Sequence, residues 1–483
     1  MAPNIHRRRR TALAHNQATF FGMPTGAPLL GTLPRHSQAA GGRPRGFVVD
    51  RPRRQAPGDA DLGGPPVGPH HNGRRHGGSP KEGSLRVLFV TEFLPWPINT
   101  GGRIRTFHLL QQAAHRHEVT LVTQAPPDDT VGYEMMRKTA ARLCAVPPRR
   151  RSPARRALDA ARSLTSPLPY VSVYSHYCGD MATLIGDLTG RERFDILHLD
   201  HLDAAPYAGA SASPAVTYLD EHNYETALLQ SVCNSTSRPL LQRYLRSQLR
   251  KLERFERQTL RSVDAISVVS KNDAEKVRAA APEVPCEIIP NGVDAAFFDI
   301  PRHPRPYRVV SVGSLDWLPN VEGLLWFLDA VWPSVVEARP TASLHIVGRN
   351  PQRALLKRVS GQITVAGSVE DVREHVQDAA AFVVPLLAGG GTRLRVLEAM
   401  AMRIPIVSTG VGVEGIECTP GQHALVANTA EDFTRQLVAL LDDLAMGERL
   451  ARAGRQLVEQ QYSWQAIGDK LDAFYERMVR WRS

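Results

Sequence analysis

The sequence predicts an α/β protein of two doubly wound, parallel-sheet domains facing each other, preceded by a disordered extension. Three observations carry this prediction. Short apolar runs of strand length alternate with amphipathic runs of helix length twice over, first from Leu85 and again from Arg308. A single Pro-rich segment, Pro301–Pro306, separates the two series. Glycine clusters stand where strands hand over to helices. A strand that returns through a helix pairs in parallel with its predecessor, so each series builds one sheet with helices on both faces.

In the first series Arg86–Thr91 reads as a buried strand, followed by a Pro-rich loop to Gly101-Gly102. Ile104, Phe107, Leu110 and Ala114 then recur at helical spacing, and Glu118–Thr123 reads as the next strand. Further strands are expected at Phe194–Leu199, Ala215–Leu219 and Ala265–Val269, with a charge-laced helix over roughly Pro239–Arg261. Ile288-Ile-Pro-Asn-Gly292 is a turn signal that closes the series. The second series reads as a strand at Arg308–Val312, a helix at Val321–Val331 stopped by Pro333, and a strand at Ser343–Val347. A strand at Ile363–Ala366, a helix at Glu370–Ala379 and a strand at Ala381–Pro385 follow. A helix at Arg393–Met402 and a strand at Pro405–Ser408 complete it. The expected boundaries are a tail at 1–84, domains at 85–295 and 305–463, and a helix at 464–483 that packs back on the first domain.

Composition narrows the function. The formal charge of +11 invites a nucleic-acid reading. Thirteen Lys/Arg against four Asp/Glu place +9 of it in residues 1–84, so the remaining 399 residues carry only +2. A nearly neutral body argues against specific nucleic-acid binding. The tail is rich in Arg, Pro, Gly and His without hydrophobic period, which reads as disorder, with anionic lipid or nucleic acid as its functional alternative. Five scattered cysteines without a C-x-x-C pair fit a reducing cytoplasm rather than a disulfide framework or zinc site. No apolar run approaches the roughly 18 residues of a membrane span, and none has the make-up of a signal peptide. The expected location is cytoplasmic, with peripheral contact at the inner face of the plasma membrane as a further reading. Six arginines in Arg149–Arg162, set among Ala and Leu, suggest either an anionic-membrane contact or a solvated helix face.

The strongest constellation begins at Pro385: after the strand come Gly389, Gly390, Gly391 and Thr392, then Arg393, and a helix opens. Free N–H groups and the positive end of the helix dipole suit a diphosphate there, and Arg393 and Arg395 add fixed charge. Glu398, one turn beyond Arg395, is placed for ribose hydroxyls; the bland reading is an i,i+3 ion pair. Gly101 and Gly102, with Arg103 beside them, form a second phosphate- or sugar-side candidate, or simply a turn. Asp220-Glu-His-Asn223 follows an apolar strand, so its side chains are expected at the ligand-binding edge, with His222 the candidate for a sugar hydroxyl and helix capping the alternative. Gly313–Asn320 is another strand-to-helix turn, in which Asn320 suits an N-cap as well as a donor contact. Ser368 with Asp371 resembles a capping box, and the backbone after Gly367 suits a nucleobase. The only D-x-D triplet, Asp59-Ala-Asp61, lies in the tail, so no metal clamp and no cofactor are expected.

These residues together resemble the retaining glycosyltransferases of family 4, of GT-B fold, and most of all bacterial exopolysaccharide-type sugar transferases. The likeness covers roughly residues 85–478 and rests on Gly389–Ala401, Asp316–Asn320, Asp220–Asn223 and the Gly101-Gly102 loop. It implies that Arg395, with Arg393, neutralises a donor diphosphate, that Glu398 takes the ribose, and that Gly101-Gly102 meets phosphate or sugar. It also gives His222 to the transferred sugar. The first glutamate of the family's E-x7-E pair is Gly390 here, the arginine of its G-R-L turn is Ser314, and the lysine that follows is replaced near Asn320. The implied activity is hexosyl transfer from a nucleotide-diphosphate sugar to a glycan or lipid-linked acceptor in envelope or exopolysaccharide synthesis. A nucleotide-sugar 2-epimerase of the same fold and a non-catalytic nucleotide-sugar binder are the competing readings.

Overall fold

The computed structural model describes residues 83–148, 152–212, 215–235, 239–388 and 393–482. The chain from Ser84 onward belongs to one compact unit. The expected tail, Arg149–Arg151 and the glycine run Gly389, Gly390, Gly391 with Thr392 lie outside the described residues.

Two parallel sheets form, as the alternation predicts. The first has seven strands: β1 (Arg86–Phe93), β2 (Glu118–Gln124), β3 (Arg142–Val146), β4 (Ile196–Asp200), β5 (Val216–Glu221), β6 (Ala265–Val268) and β7 (Cys286–Ile288), in the order β3-β2-β1-β4-β5-β6-β7. The second has six: β8 (Arg308–Val312), β9 (Ser343–Val347), β10 (Ile363–Gly367), β11 (Ala381–Val384), β12 (Ile406–Ser408) and β13 (Leu425–Val426), in the order β10-β9-β8-β11-β12-β13. The two orders are the same doubly wound pattern, with a reversal between the first and fourth strand of each sheet.

The apolar runs are continuous because both faces of a parallel sheet are covered. Along β1, Val87 and Phe89 enter one core while Leu88 and Val90 enter the other, and all four are fully buried. In the second sheet Val309, Ala381 and Val383 face one core, and Val310, Phe382 and Val384 the other.

The chain crosses between the lobes twice, and the crossings run side by side: the Val293 amide donates to the Tyr462 carbonyl at 2.7 Å. The helix Trp464–Arg482 then lies on the first sheet. Its Trp464, Ile467, Leu471, Phe474, Tyr475 and Met478 share a core with Val87 and Phe89. Tyr475 hydroxyl bonds Nδ1 of buried His198 on β4, and Trp464 stacks on His108 at 4.5 Å between ring centres.

The second domain differs from expectation at Pro333. The helix Leu318–Trp326 continues through a wide turn, Phe327–Val331, into Trp332–Ala338. A proline in a helix lacks a donor and clashes with the carbonyl four residues back. The wide turn absorbs that mismatch, so Pro333 redirects the helix without ending it.

Removing Phe474 tests the seating of the last helix. Phe474→Ala should lower unfolding free energy by about 3–5 kcal/mol, the range for a large buried aromatic, measured by urea titration. A loss below about 1 kcal/mol, the scale of an average point mutation, would mean that this helix does not complete the core.

Candidate functional site

In both sheets the segments that follow the strands at the order reversal open on the side where such folds hold ligands. In the first domain the segment after β1 leads to the helix Gly101–Arg116, whose N-cap Thr100 accepts from the Arg103 amide. Gly101 and Gly102 are therefore the first turn of that helix. After β4, His201 takes φ +76°, a conformation uncommon outside glycine that marks a strained corner. After β11 the described chain resumes at Arg393, the N-cap of the helix Leu394–Ala401.

Two helix N-termini converge here from the two lobes. A Cβ on Gly101 would lie 3.9 Å from Leu394 Cδ1, and one on Gly102 would lie 3.8 Å from His222 Nδ1. The first-lobe glycines thus sit between His222 and the opening turn of the second-lobe helix. Each N-terminus presents unpaired N–H groups and partial positive charge, which suits an anion.

His222 is held by a buried network. Its Nε2 lies 3.1 Å from Asp200 Oδ1 and 3.3 Å from Asp220 Oδ2. Thr106 Oγ1 donates to the other Asp200 oxygen at 2.8 Å. Arg105 grips Asp220 with both arms of its guanidinium, Nε at 2.8 Å and Nη2 at 2.5 Å. Its Nη1 also reaches the Pro290 carbonyl at 3.1 Å, on the crossing between the lobes. Burial works against charge on His222, but the two carboxylates outweigh it and the net effect raises its pKa. Asp220 is likewise held well below the ordinary carboxylate range: burial opposes ionisation, and Arg105 and His222 overcome it. The strand-edge expectation needs correction, because β5 runs on through Glu221. Asp220 and Glu221 lie inside the sheet and are buried, whereas His222 and Asn223 follow the strand and are partly exposed.

The second lobe supplies the rest. Arg395 is half-exposed and donates to Glu398 Oε2 at 2.5 Å, so the i,i+3 pair forms. Burial raises the Glu398 pKa in spite of Arg395. Arg393 turns inward: its Nε donates to the Val411 carbonyl at 3.3 Å and its Nη2 lies 4.0 Å from Glu414. Burial lowers its pKa, and Glu414 works against that shift. Gly313 and Asn320 form one closed loop, in which Asn320 Nδ2 donates to the Ser314 carbonyl at 3.0 Å. Trp317 occupies the N-cap position, so Asn320 does not cap that helix. Asp371, not Ser368, caps the short helix Val372–Val376, and Ser368 stands exposed after Gly367, whose φ is +73°. Arg103 folds back over the Phe93 ring toward the Trp96 carbonyl.

Behind these residues a cavity of about 460 Å³ separates the lobes. Ser270, Lys271 and Pro290 line it from the first lobe, and Glu414, Glu417 and Tyr462 from the second. Lys271 and Glu417 pair across it at 2.8 Å. Among the described residues, two His/carboxylate groups have donor atoms within 4.8 Å of one another: Glu92–His176–Asp203 and His198–Asp200–Asp220. In the second, His198 Nδ1 bonds Tyr475, Asp200 pairs with His222 and Asp220 with Arg105. In the first, His176 pairs with Glu92 and lies in the field of Asp203; burial opposes its charge, but Asp203 and Glu92 carry its pKa up to about 9.

Sequence reasoning missed Arg105, Thr106 and Asp200. One signal was present: Arg105 falls on the buried helix stripe with Leu109, Gln112 and Ala113, where an unpaired charge would be intolerable. Its partner, 115 residues away, has no such signature.

Residues 100–297 match the family model described as Glycosyltransferase Family 4, and residues 306–443 that described as Glycosyl transferases group 1. A "GDP-mannose-dependent monoacylated alpha-(1-6)-phosphatidylinositol monomannoside mannosyltransferase" from Corynebacterium glutamicum is 28% identical over 244 residues, 44% of this chain and 64% of that protein. An "Uncharacterized 44.6 kDa protein in cps region" of Klebsiella pneumoniae is 25% identical over 165 residues, 32% of this chain and 42% of the relative. The chain thus spans less than two thirds of the length of either. Among solved structures, sucrose-phosphate synthase from Thermosynechococcus elongatus aligns with TM-score 0.58 at 16% identity, over 83% of this chain and all of that one. Anabaena HepE in complex with UDP and glucose aligns with TM-score 0.54 at 10% identity, over 81% of this chain and all of that one. The fold is GT-B.

The network makes two testable statements. Arg105→Met leaves the Asp220 carboxylate buried without its main partner and should cost about 3–5 kcal/mol in urea unfolding; a near-neutral result would show that the pair does not hold the site.

Stability should also fall on both sides of a mid-acidic plateau. Asp203, held at about 2 as His176 and His201 overcome its burial, contributes stability that is present above the ordinary carboxylate range and lost as pH falls toward 2. His176 contributes stability that is present below the ordinary histidine value and lost as pH rises through about 9, and the raised His222 adds loss of the same sign. Glu256, pushed up to about 7 by burial, loses its share as pH rises to 7. Unfolding free energy measured against pH checks this, and a flat alkaline limb would contradict it.

Proposed function

Since the chain carries a family 4 glycosyltransferase domain followed by a group 1 domain, we propose that it is a retaining, metal-independent transferase. It moves a hexosyl group from a nucleotide-diphosphate sugar to a glycan or lipid-linked acceptor, in cell-envelope or exopolysaccharide synthesis. The observation that carries this reading is the meeting of the two helix N-termini, with His222 on one side and the Arg395–Glu398 pair on the other. The HepE structures with UDP and UDP-glucose and the GDP-mannose dependence of the corynebacterial relative support a nucleotide-sugar donor.

In this reading a diphosphate between the lobes draws Arg395 away from Glu398, and the released carboxylate accepts from ribose hydroxyls. Arg395 and the helix N–H groups stabilise charge as it develops on the leaving phosphate. His222, with Nε2 held by two carboxylates, presents its Nδ1 side past Gly102 to a sugar hydroxyl. The bond from the anomeric carbon to the diphosphate breaks, and the acceptor oxygen bonds the same face of that carbon. The departing phosphate takes the acceptor proton, so anomeric configuration is kept. Orientation of the two substrates supplies the remainder of the rate. Glycine at position 390 leaves hexose recognition to groups other than a glutamate there. Peripheral contact with an anionic membrane belongs to the same reading, since a lipid-linked acceptor is presented at such a surface.

A thermal-shift panel of nucleoside diphosphates and nucleotide sugars should raise the midpoint for one base, by mass action on the folded state. Arg395→Ala should lower kcat at least about 10²–10³-fold with an unchanged midpoint in the absence of ligand. An active Arg395→Ala enzyme, or a product that is the epimerised donor rather than a glycoside, would overturn the transferase reading.

A further inference from the structure

The first lobe carries a surface that the cleft does not use. The helix Pro239–Ser262 has seven Lys/Arg and two Glu, a balance of +5, in a body (residues 85–483) whose total is +2. Its buried face is Leu245, Gln248, Leu252, Glu256 and Leu260. The opposite face is a line of exposed arginines, Arg243, Arg246, Arg250, Arg254, Arg257 and Arg261, at spacings of three or four. At 1.5 Å per residue that line runs about 27 Å. Arg257 pairs with Glu253 at 2.9 Å, and Arg261 donates to the Ala280 carbonyl at 2.8 Å. Arg243, Arg246, Arg250 and Arg254 make no ion pair or hydrogen bond among the described residues.

Apolar side chains border this line. Leu240, at the start of the helix, is 84% exposed. The segment from Ser163 to Tyr170 runs along the helix: Gln248 Nε2 donates to Ser163 Oγ at 3.1 Å, its Oε1 accepts from the Tyr170 amide at 2.9 Å, and Lys251 reaches the Leu164 carbonyl at 3.0 Å. Leu164 and Leu168 stand exposed on that segment.

We propose that this face docks on an anionic lipid bilayer, the arginines over the headgroups and Leu240, Leu164 and Leu168 entering the interface. It deepens, and rests on, the transferase reading with a lipid-linked acceptor. A soluble polyanion would match the arginines but give the leucines nothing to pack on; a bilayer surface satisfies both, since basic residues and apolar side chains add in binding it. The face belongs to the same lobe as His222, so docking brings the acceptor-side lobe to the membrane.

The test is co-sedimentation of the full chain with vesicles of 70% phosphatidylcholine and 30% phosphatidylglycerol, compared with phosphatidylcholine alone. The parent should partition to the anionic vesicles and leave them at high salt, where surface charge is screened. The variant R246Q/R250Q/R254Q, with an unchanged thermal midpoint, should lose roughly a hundred-fold in partition, at about five-fold per arginine. The variant L240S/L164S should also bind vesicles more weakly while its binding to heparin stays at the parental level. Parental partition in the arginine variant, equal binding to neutral vesicles, or leucine variants that bind vesicles as the parent does would each overturn the proposal. Donor hydrolysis read in solution on the same variants should stay at the parental level; its absence from parent and variants alike would sink the transferase reading and leave the docking face standing.

Discussion

Everything at the cleft depends on the Arg105–Asp220 pair. Arg105 belongs to the first helix, Asp220 to the fifth strand, and the Pro290 and Asn291 acceptors to the crossing between lobes. One guanidinium therefore fixes three segments that approach the site from different directions. A buried ion pair is poor evidence for net stability, because desolvation offsets most of its attraction. What it does supply is definition: with Asp220 committed to Arg105 and one Asp200 oxygen held by Thr106, the other Asp200 oxygen and the remaining reach of Asp220 orient His222. A carboxylate without Arg105 would be driven toward its neutral form by burial, and the imidazole would lose one of the two charges that hold it.

The second constraint is the double crossing. A single linker would let the lobes turn freely. Here the Val293 and Tyr462 segments run together, and Trp464 lies where a Cβ on Gly292 would clash at 2.7 Å. The last helix then returns to the first sheet, where Tyr475 reaches His198 directly beneath Asp200 and Asp220. The last helix and the first sheet thus share a core next to the crossing, and across the cavity beside it Lys271 pairs with Glu417.

Most of the fold was legible because buried parallel strands read as continuous apolar runs, and those runs alternated with helical periods. The strands that escaped notice are β3, β7 and β13, all at sheet edges: Cys286, Glu287 and Ile288 are only half-buried, as are Leu425 and Val426. Edge strands need fewer apolar residues, so they leave a weaker trace. The charged turn at Arg393–Glu398 was also legible, since strand, glycines and helix are adjacent in sequence. The His222 network was not, because its members come from positions 105, 106, 200, 220 and 222 and are joined only by the sheet order. Asn320 and Ser368 show a different limit. Residues that suit a cap are placed one turn off, and Trp317 and Asp371 take the cap positions because the loops close differently.

The charge balance of the cleft follows from these placements. On the second lobe Arg393 turns inward to Val411 and Glu414, Arg395 is half-exposed, and its partner Glu398 is a carboxylate whose pKa burial raises. On the first lobe Asp200 and Asp220 raise the pKa of His222, and Asp220 is shared with Arg105. Neither helix has a carboxylate in its first turn, so the partial positive charge of the two helix ends is not cancelled there. An anion seated there gains from fixed dipoles that need no reorganisation. In the proposed reading only the Arg395–Glu398 contact exchanges: its arginine end is half-exposed, and the buried carboxylate left behind accepts from ribose hydroxyls instead.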